Sequence, residues 1–311
     1  MKYFKIISVI LIIILLTMSF SACGIPDEQE DDFIVVTSFY PMYVFTKNIT
    51  EGAENVKVIN MTKPQTGCLH DYNLLPEDIK TLEKADVFVI NGGGMEAFME
   101  KVYENIYGLN VIIASDGIEF INTECNEHHD HNHEEEFNSH VWTFVPNAVK
   151  EVENITKGLL SLNPENEKIY KENAENYIKA LNGVHEKFKA LKSKTDGKEM
   201  VVTHEAFDYM AKGYGLKIAG RIMSDHNSQP SAHELSELVK KVENSSVIGI
   251  FKEPQYPDGV INTLAKETKV PVYDLDPMVT GEDKYLGVYE SVMLDNLKTI
   301  ENALRVKGYG D

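Results

Sequence analysis

Histidine is the residue that stands out in this chain, and its spacing asks for a metal. In Cys125 to Trp142 (CNEHHDHNHEEEFNSHVW), His128, His129, His131 and His133 crowd together, and Glu134, Glu135 and Glu136 follow directly. His140 stands apart at the end of the tract, before an apolar run. Imidazole and carboxylate are the ligands that borderline divalent cations such as zinc prefer. A short His-rich tract is a compositional sign of metal binding. The same composition also suits a plain solvated loop, so the rest of the chain must decide whether the tract is the site or an accessory to it.

Other candidate ligands lie at the ends of strand-like runs. His70 ends the loop after VKVINM, His140 opens HVWTFVPNA, and His204 follows MVVT directly. Asp276 follows VPVYDL, with Asp274 two residues earlier. In parallel α/β sheets, ligands bind beyond the carboxyl ends of strands. Two of these residues come from each half of the chain, so a metal held by all four would sit in a cleft between lobes. Any one of them alone has a bland explanation as a surface or satisfied side chain. His185, His226 and His233 are read that way, as solvated. Tyr72 and Glu205 adjoin candidate ligands, where they could orient them.

Two motifs point elsewhere and are set aside. His204-Glu205 opens like the zinc-protease signature H-E-x-x-H, but Asp208 stands where the second histidine belongs. A zinc-dependent hydrolase is therefore a minor reading, and the chain is not expected to be an enzyme. Gly92-Gly93-Gly94 lacks the Lys-Ser/Thr of a phosphate-binding P-loop and the spacing of G-x-G-x-x-G, and reads as a tight turn after a strand.

The elements that must position these residues alternate. FIVVTSF (33–39), VKVINM (56–61), ADVFVIN (85–91) and VIIAS (111–115) read as strands with helical patterns between them, such as 76–84 and 98–107. The second half repeats the scheme: EMVVT (199–203), 216–222, VIGIF (247–251) and VPVYDL (270–275) as strands, with helices over 207–214, 231–242, 259–268 and 285–306. Such alternation argues for βα units and parallel sheets. Between the halves, Pro146 starts a helix. Asn163-Pro164 then caps a long one running to about Lys192, whose Tyr177, Leu181, Val184, Phe188 and Leu191 recur at steps of four and three. At 1.5 Å per residue it would span roughly 40 Å, enough for a stiff strut between two lobes.

Length and composition bound the rest. At 311 residues the chain allows two domains, because single cores stop growing near about 250–300 residues. A formal charge of −19 leaves no basic face for phosphates, which excludes nucleic acid as a partner. Lys2 and Lys5, the apolar run Ile6 to Phe20 and then Ser21-Ala22-Cys23 form a secretory leader too short to span a bilayer. The leader resembles a bacterial lipobox, which makes Cys23 the lipidated residue. GIPDEQEDD (24–32) suits a flexible tether. Cys68 and Cys125 remain; outside the cytoplasm a disulfide between them is chemically permitted, and spacing alone does not decide it.

With these pieces in place, the chain resembles the metal-binding lipoproteins of bacterial ABC importers for zinc and manganese. The matching segments are SFYPMYVF, HDYNLLPEDIK, SHVWTFVPNA, THEAFDYMAKGYGL, QPSAHEL, FKEPQY and LDPM, which together span nearly the whole mature chain. The resemblance implies two α/β lobes joined by one long rigid helix, with the metal between them. The expected division is a signal peptide over 1–23, a tether over 24–32, a first lobe over 33–162 with its His-rich loop at 124–139, a linking helix over 163–193 and a second lobe over 194–311. It implies His70, His140 and His204 as ligands with Asp276 fourth, a position for which water, Asp274 or Glu253 are alternatives. It departs from the family at Leu69, where many members have proline, and at Cys68, whose thiolate could compete for zinc.

The implied function is capture of Zn2+ outside the cytoplasm and delivery to an importer permease, by a monomer anchored to the cell membrane through its lipid. Members that bind manganese tend to carry a carboxylate where this chain has His204, so Mn2+ (or iron) is the alternative cargo. The cluster His128, His129, His131 and His133 becomes an accessory metal-binding loop. A surface adhesin role is compatible with transport, and no feature of the sequence speaks to it.

Overall fold

The computed structural model describes residues 32–62, 69, 72–122, 137–223, 230–282 and 285–309. His70, the cluster His128 to His133, Cys23, Cys68, Cys125 and His226 lie outside them.

Two four-stranded parallel sheets organise the molecule. The first contains β1 (Phe33–Thr37), β2 (Val56–Asn60), β3 (Val87–Ile90) and β4 (Asn110–Ile113) in the order β2-β1-β3-β4. The helices α1 (Tyr40–Thr50), α2 (Pro76–Leu82) and α3 (Met99–Asn105) connect them. The strands are short and apolar; all four residues of β3 are buried, as a parallel sheet covered on both faces requires. After β4 comes an antiparallel hairpin of two-residue strands, β5 (Ile121–Asn122) and β6 (Phe137–Asn138). Phe137 and Asn138, which the sequence places inside the His-rich loop, are thus part of its paired stem.

Gly92, Gly93 and Gly94 all have positive φ and form the turn expected after β3. A side chain at Gly93 would also collide with Phe120, whose ring would lie 2.4 Å from its Cβ.

Helix α4 (Val145–Leu162) leads through a short 3-10 turn at Pro164–Asn166 into α5 (Glu167–Thr195), 29 residues long. The 3-10 turn absorbs the Asn163-Pro164 signal, so the helix starts later than the sequence suggests and runs three residues past Lys192. Its buried residues Tyr170, Ala174, Tyr177, Leu181, Val184, Phe188, Leu191 and Thr195 alternate steps of four and three, one continuous stripe. That stripe packs on α4 and α1 and also on the last helix, α9 (Val288–Val306). One core therefore runs from Val35 and Phe88 through α5 to Phe251 and Tyr289.

The second sheet holds β7 (Glu199–Val202), β8 (Lys217–Arg221), β9 (Val247–Lys252) and β10 (Val272–Asp274) in the order β10-β9-β7-β8. Numbered within its own half, it has the same order as the first sheet. Helices α6 (Asp208–Gly213), α7 (Ala232–Glu243) and α8 (Gly259–Thr268) connect its strands. Helix α7 starts at a capping box: Ser231 Oγ accepts from the Glu234 amide, and the Glu234 carboxylate accepts from the Ser231 amide. The outer face of this sheet has a separate small core around Val201, Leu238, Ile250 and Leu264. Among the described residues no helix is long and apolar enough to cross a membrane.

Candidate metal centre

In both sheets the chain reverses its order of travel between the first and third strands, the crevice where open α/β sheets bind ligands. In the second sheet that crevice lies between β7 and β9. His204 follows β7 and Glu253 follows β9. His204 and Glu253 are both buried, and His204 Nδ1 lies 2.5 Å from Glu253 Oε1. A carboxylate oxygen here accepts the Nδ1 proton and leaves Nε2 as the ring's electron-pair donor.

In the first lobe, neither β1 nor β3 is followed directly by a histidine. A knot of hydrogen bonds there props up the neighbouring segment instead. The buried Glu96 accepts from Ser38 Oγ (2.7 Å) and from the amides of Asn91 (2.9 Å) and Gly92 (3.0 Å). Burial raises the Glu96 carboxyl above its ordinary value against the pull of those bonds. Asn91 Nδ2 donates to Ser139 O at 3.0 Å, and so fixes the residue before His140.

His140 follows the hairpin strand β6 by two residues, as His204 follows β7, so its strand belongs to the hairpin and not to either four-stranded sheet. His140 is fully buried. Its Nδ1 lies 3.0 Å from Asn138 Oδ1, the atom that also accepts from the His140 amide at 2.9 Å. The amide of Asn138 is oriented by its other end, because Nδ2 faces the acceptors Glu205 O (2.8 Å) and Asp208 Oδ2 (3.3 Å). Oδ1 is therefore the atom facing the imidazole, His140 Nδ1 carries the proton, and the ring's lone pair lies on Nε2.

The two rings meet with centroids 5.0 Å apart and planes at 83°. Aromatic walls hold them: Trp142 lies 5.2 Å from His140, and Tyr256 lies 5.5 Å from His204. Trp142 Nε1 donates to Pro277 O at 2.7 Å, and its carbonyl accepts from Tyr289 Oη at 2.7 Å, so a residue of the first half is tied to the loop that bears Asp276.

The carboxylates named from the sequence have separate duties. Asp274 is 69% exposed on its side chain and bonds Lys252 Nζ at 3.0 Å, which removes it from the cleft. Glu253 is occupied with His204. Asp276 is partly buried; its Oδ1 accepts from the Met278 amide, and Gln255 hydrogen-bonds its side chain. Burial raises its carboxyl above the ordinary value, and those two bonds oppose the shift. Glu205, adjacent to His204 in sequence, sends its carboxylate to 3.9 Å from His140 Nδ1 instead.

Tyr72 does not reach a ligand in the described residues: its hydroxyl donates to Asp78 at the start of α2. His185 is half-buried, not solvated, with Nδ1 3.1 Å from Tyr214 Oη. His233 is exposed on α7, as expected. No group of three His, Cys, Asp or Glu side chains among the described residues forms a complete metal cage.

Sequence reasoning named both of the imidazoles that the structure brings together, but not Asn138, Trp142 or the contact of Glu253 with His204. The signal for Glu253 was present, as an acid directly after a buried apolar strand. Asn138 carried none beyond its place two residues before a histidine.

Residues 35–303 match the family model described as ZnuA, zinc-uptake complex component A, periplasmic. The chain is 31% identical over 298 residues to the high-affinity zinc uptake system protein ZnuA of Bacillus subtilis, covering 92% of each chain. It is 30% identical over 299 residues to the zinc-binding lipoprotein AdcA of Streptococcus pneumoniae, where it covers 92% of this chain and only 59% of that longer protein. A solved structure of the solute-binding protein FpvC from Pseudomonas aeruginosa in complex with Mn2+ superposes with a TM-score of 0.78 at 25% identity, over 89% of this chain and 100% of that one.

Proposed function

The chain belongs to the ZnuA family of zinc-uptake components, and on that premise we propose that it captures Zn2+ outside the cytoplasm and presents it to the permease of an ABC-type importer. The observation that carries this reading is the buried, perpendicular pair His140 and His204, each with Nδ1 turned to an acceptor, which puts the ring's lone pair on Nε2. Pre-set tautomers mean that no ring has to reorganise when the ion arrives. His70 is the third ligand; the fourth is Asp276, which the described residues do not gather with the two histidines into a group of three, or else water, since Asp274 bonds Lys252 and Glu253 backs His204. Three nitrogens and one carboxylate suit a borderline ion of tetrahedral habit, which favours zinc over manganese.

The cluster His128, His129, His131 and His133 gathers metal weakly beside the main site. A lipid on Cys23 holds the protein, a monomer, at the cell membrane, with 24–32 as tether between the leader (1–23) and the lobes at 33–162 and 194–311, which the helix segment 163–193 joins. Mn2+ is the second reading, favoured by the likeness to a protein solved with that ion.

The test is a titration of the mature protein with Zn2+ against a chromophoric chelator. One tight site is expected, weakened at least about 100-fold in His140→Ala and in His204→Ala; unchanged affinity in both variants overturns the assignment. Adding Mn2+ in excess is expected to leave the zinc in place, and displacement would favour the second reading. Imidazole must be neutral to ligate, so capture is expected to weaken in the acid range where free histidine titrates, about pH 6.5.

A further inference from the structure

We propose that Asn138 and Tyr209 form a clasp between the lobes that positions His140 against His204 before any metal arrives. The inference rests on the reading of those two histidines as ligands. Asn138 belongs to β6 in the first half of the chain and is fully buried. Its Oδ1 serves His140 twice, at the amide and at the ring. Its Nδ2 reaches across to the segment that begins at His204, donating to Glu205 O and to Asp208 Oδ2. The carboxylate of Asp208 is itself held by Arg221 at 2.6 Å.

Tyr209 closes the clasp from the other side. Its hydroxyl donates to Asn138 O at 2.6 Å and accepts from the Ile121 amide at 2.9 Å, so one atom of the second lobe pins both strands of the hairpin stem. Thr143 Oγ1 adds a parallel tie to Ala206 O at 2.8 Å. The segments 138–143 and 204–209 are thereby bonded at several points, and each bears one imidazole. A rigid frame on both sides fixes the spacing of the two Nε2 atoms, which is what a metal with a set bond length requires.

The choice of amide at 138 follows from its neighbours. A carboxylate there would still accept from His140, but it would face Glu205 O and Asp208 with no proton to donate. Tyr209 is distant from the imidazoles in bonding terms and acts only through Asn138, so it is a positioning residue and not a ligand.

The experiment compares the parent with Tyr209→Phe, Asn138→Leu and Asn138→Asp, read by Zn2+ competition titration and by the ring 15N shifts of His140 in the metal-free protein. Tyr209→Phe is expected to weaken Zn2+ about 10-fold and Asn138→Leu about 100-fold, the range found for groups that orient metal ligands. Asn138→Leu is expected to mix the two His140 tautomers, and Asn138→Asp to restore the Nδ1-protonated form while recovering only part of the affinity. Parent affinity and unaltered His140 shifts in Tyr209→Phe overturn the clasp, and that variant decides the matter if Asn138→Leu does not fold. A parent protein that fails to bind Zn2+ tightly contradicts the proposed function instead, which keeps the two failures distinct.

Discussion

His204 and His140 reach one cleft with unlike support. A carboxylate, Glu253, backs the first, and a neutral amide, Asn138, backs the second. On the proposed reading, the carboxylate behind His204 would strengthen it as a metal ligand more than the amide behind His140. Replacing Glu253 by Gln keeps an acceptor in place but removes the charge. We expect it to weaken Zn2+ binding about 10-fold or more in chelator competition, with the fold intact by circular dichroism.

The pairing of His140 with His204 was legible in the sequence, because both stood at the ends of apolar runs and few residue types serve a metal. Their supporting residues were not. Asn and Glu have many uses, and Glu253 lies 49 residues from the ring it orients. His185 shows the converse error: its position on a helix suggested solvent, and only the packing of Phe144 and Tyr214 against it reveals a half-buried contact.

The long helix α5 is the element on which both lobes rest, and its stripe was readable from the steps of four and three alone. Leu181 lies fully buried in that stripe. Leu181→Ala should cost about 2–5 kcal/mol in urea denaturation. The hairpin β5–β6 was not readable, because two-residue strands have no periodicity and their pairing is set by Tyr209 from the other lobe.

Helix α4 carries a further element-level oddity. Glu151 is fully buried, with neither carboxylate oxygen hydrogen-bonded. Burial, with Glu96 adding to it, raises its carboxyl well above the ordinary value. A raised carboxyl binds its proton more tightly in the folded state, so the stability it allows in acid is lost as pH climbs above about 4.3, the unfolded value. Glu151→Gln removes that loss. The variant should gain on the parent as pH rises from about 4.5 to about 7, and an equal difference at both pH values would refute the argument.

Seen whole, the molecule is two sheets of identical strand order joined through one core. The βα alternation made that architecture legible in each half. The splice was not, because Trp142 to Pro277, Asn138 to Glu205 and Thr143 to Ala206 join residues far apart in sequence whose bonds involve main-chain carbonyls. The proposed division of labour between the paired histidines and the insertion belongs to this scale too. Deleting Glu127 to Glu136 is expected to leave one tight zinc site and abolish weaker additional binding in the same titration.

The most direct measurement is anomalous diffraction at the zinc edge from crystals of the mature protein loaded with one equivalent of Zn2+. The strongest peak is expected between His140 and His204, at about 2.0–2.1 Å from both Nε2 atoms. A strongest peak in the His-rich insertion, or one touching neither imidazole, would contradict the assignment.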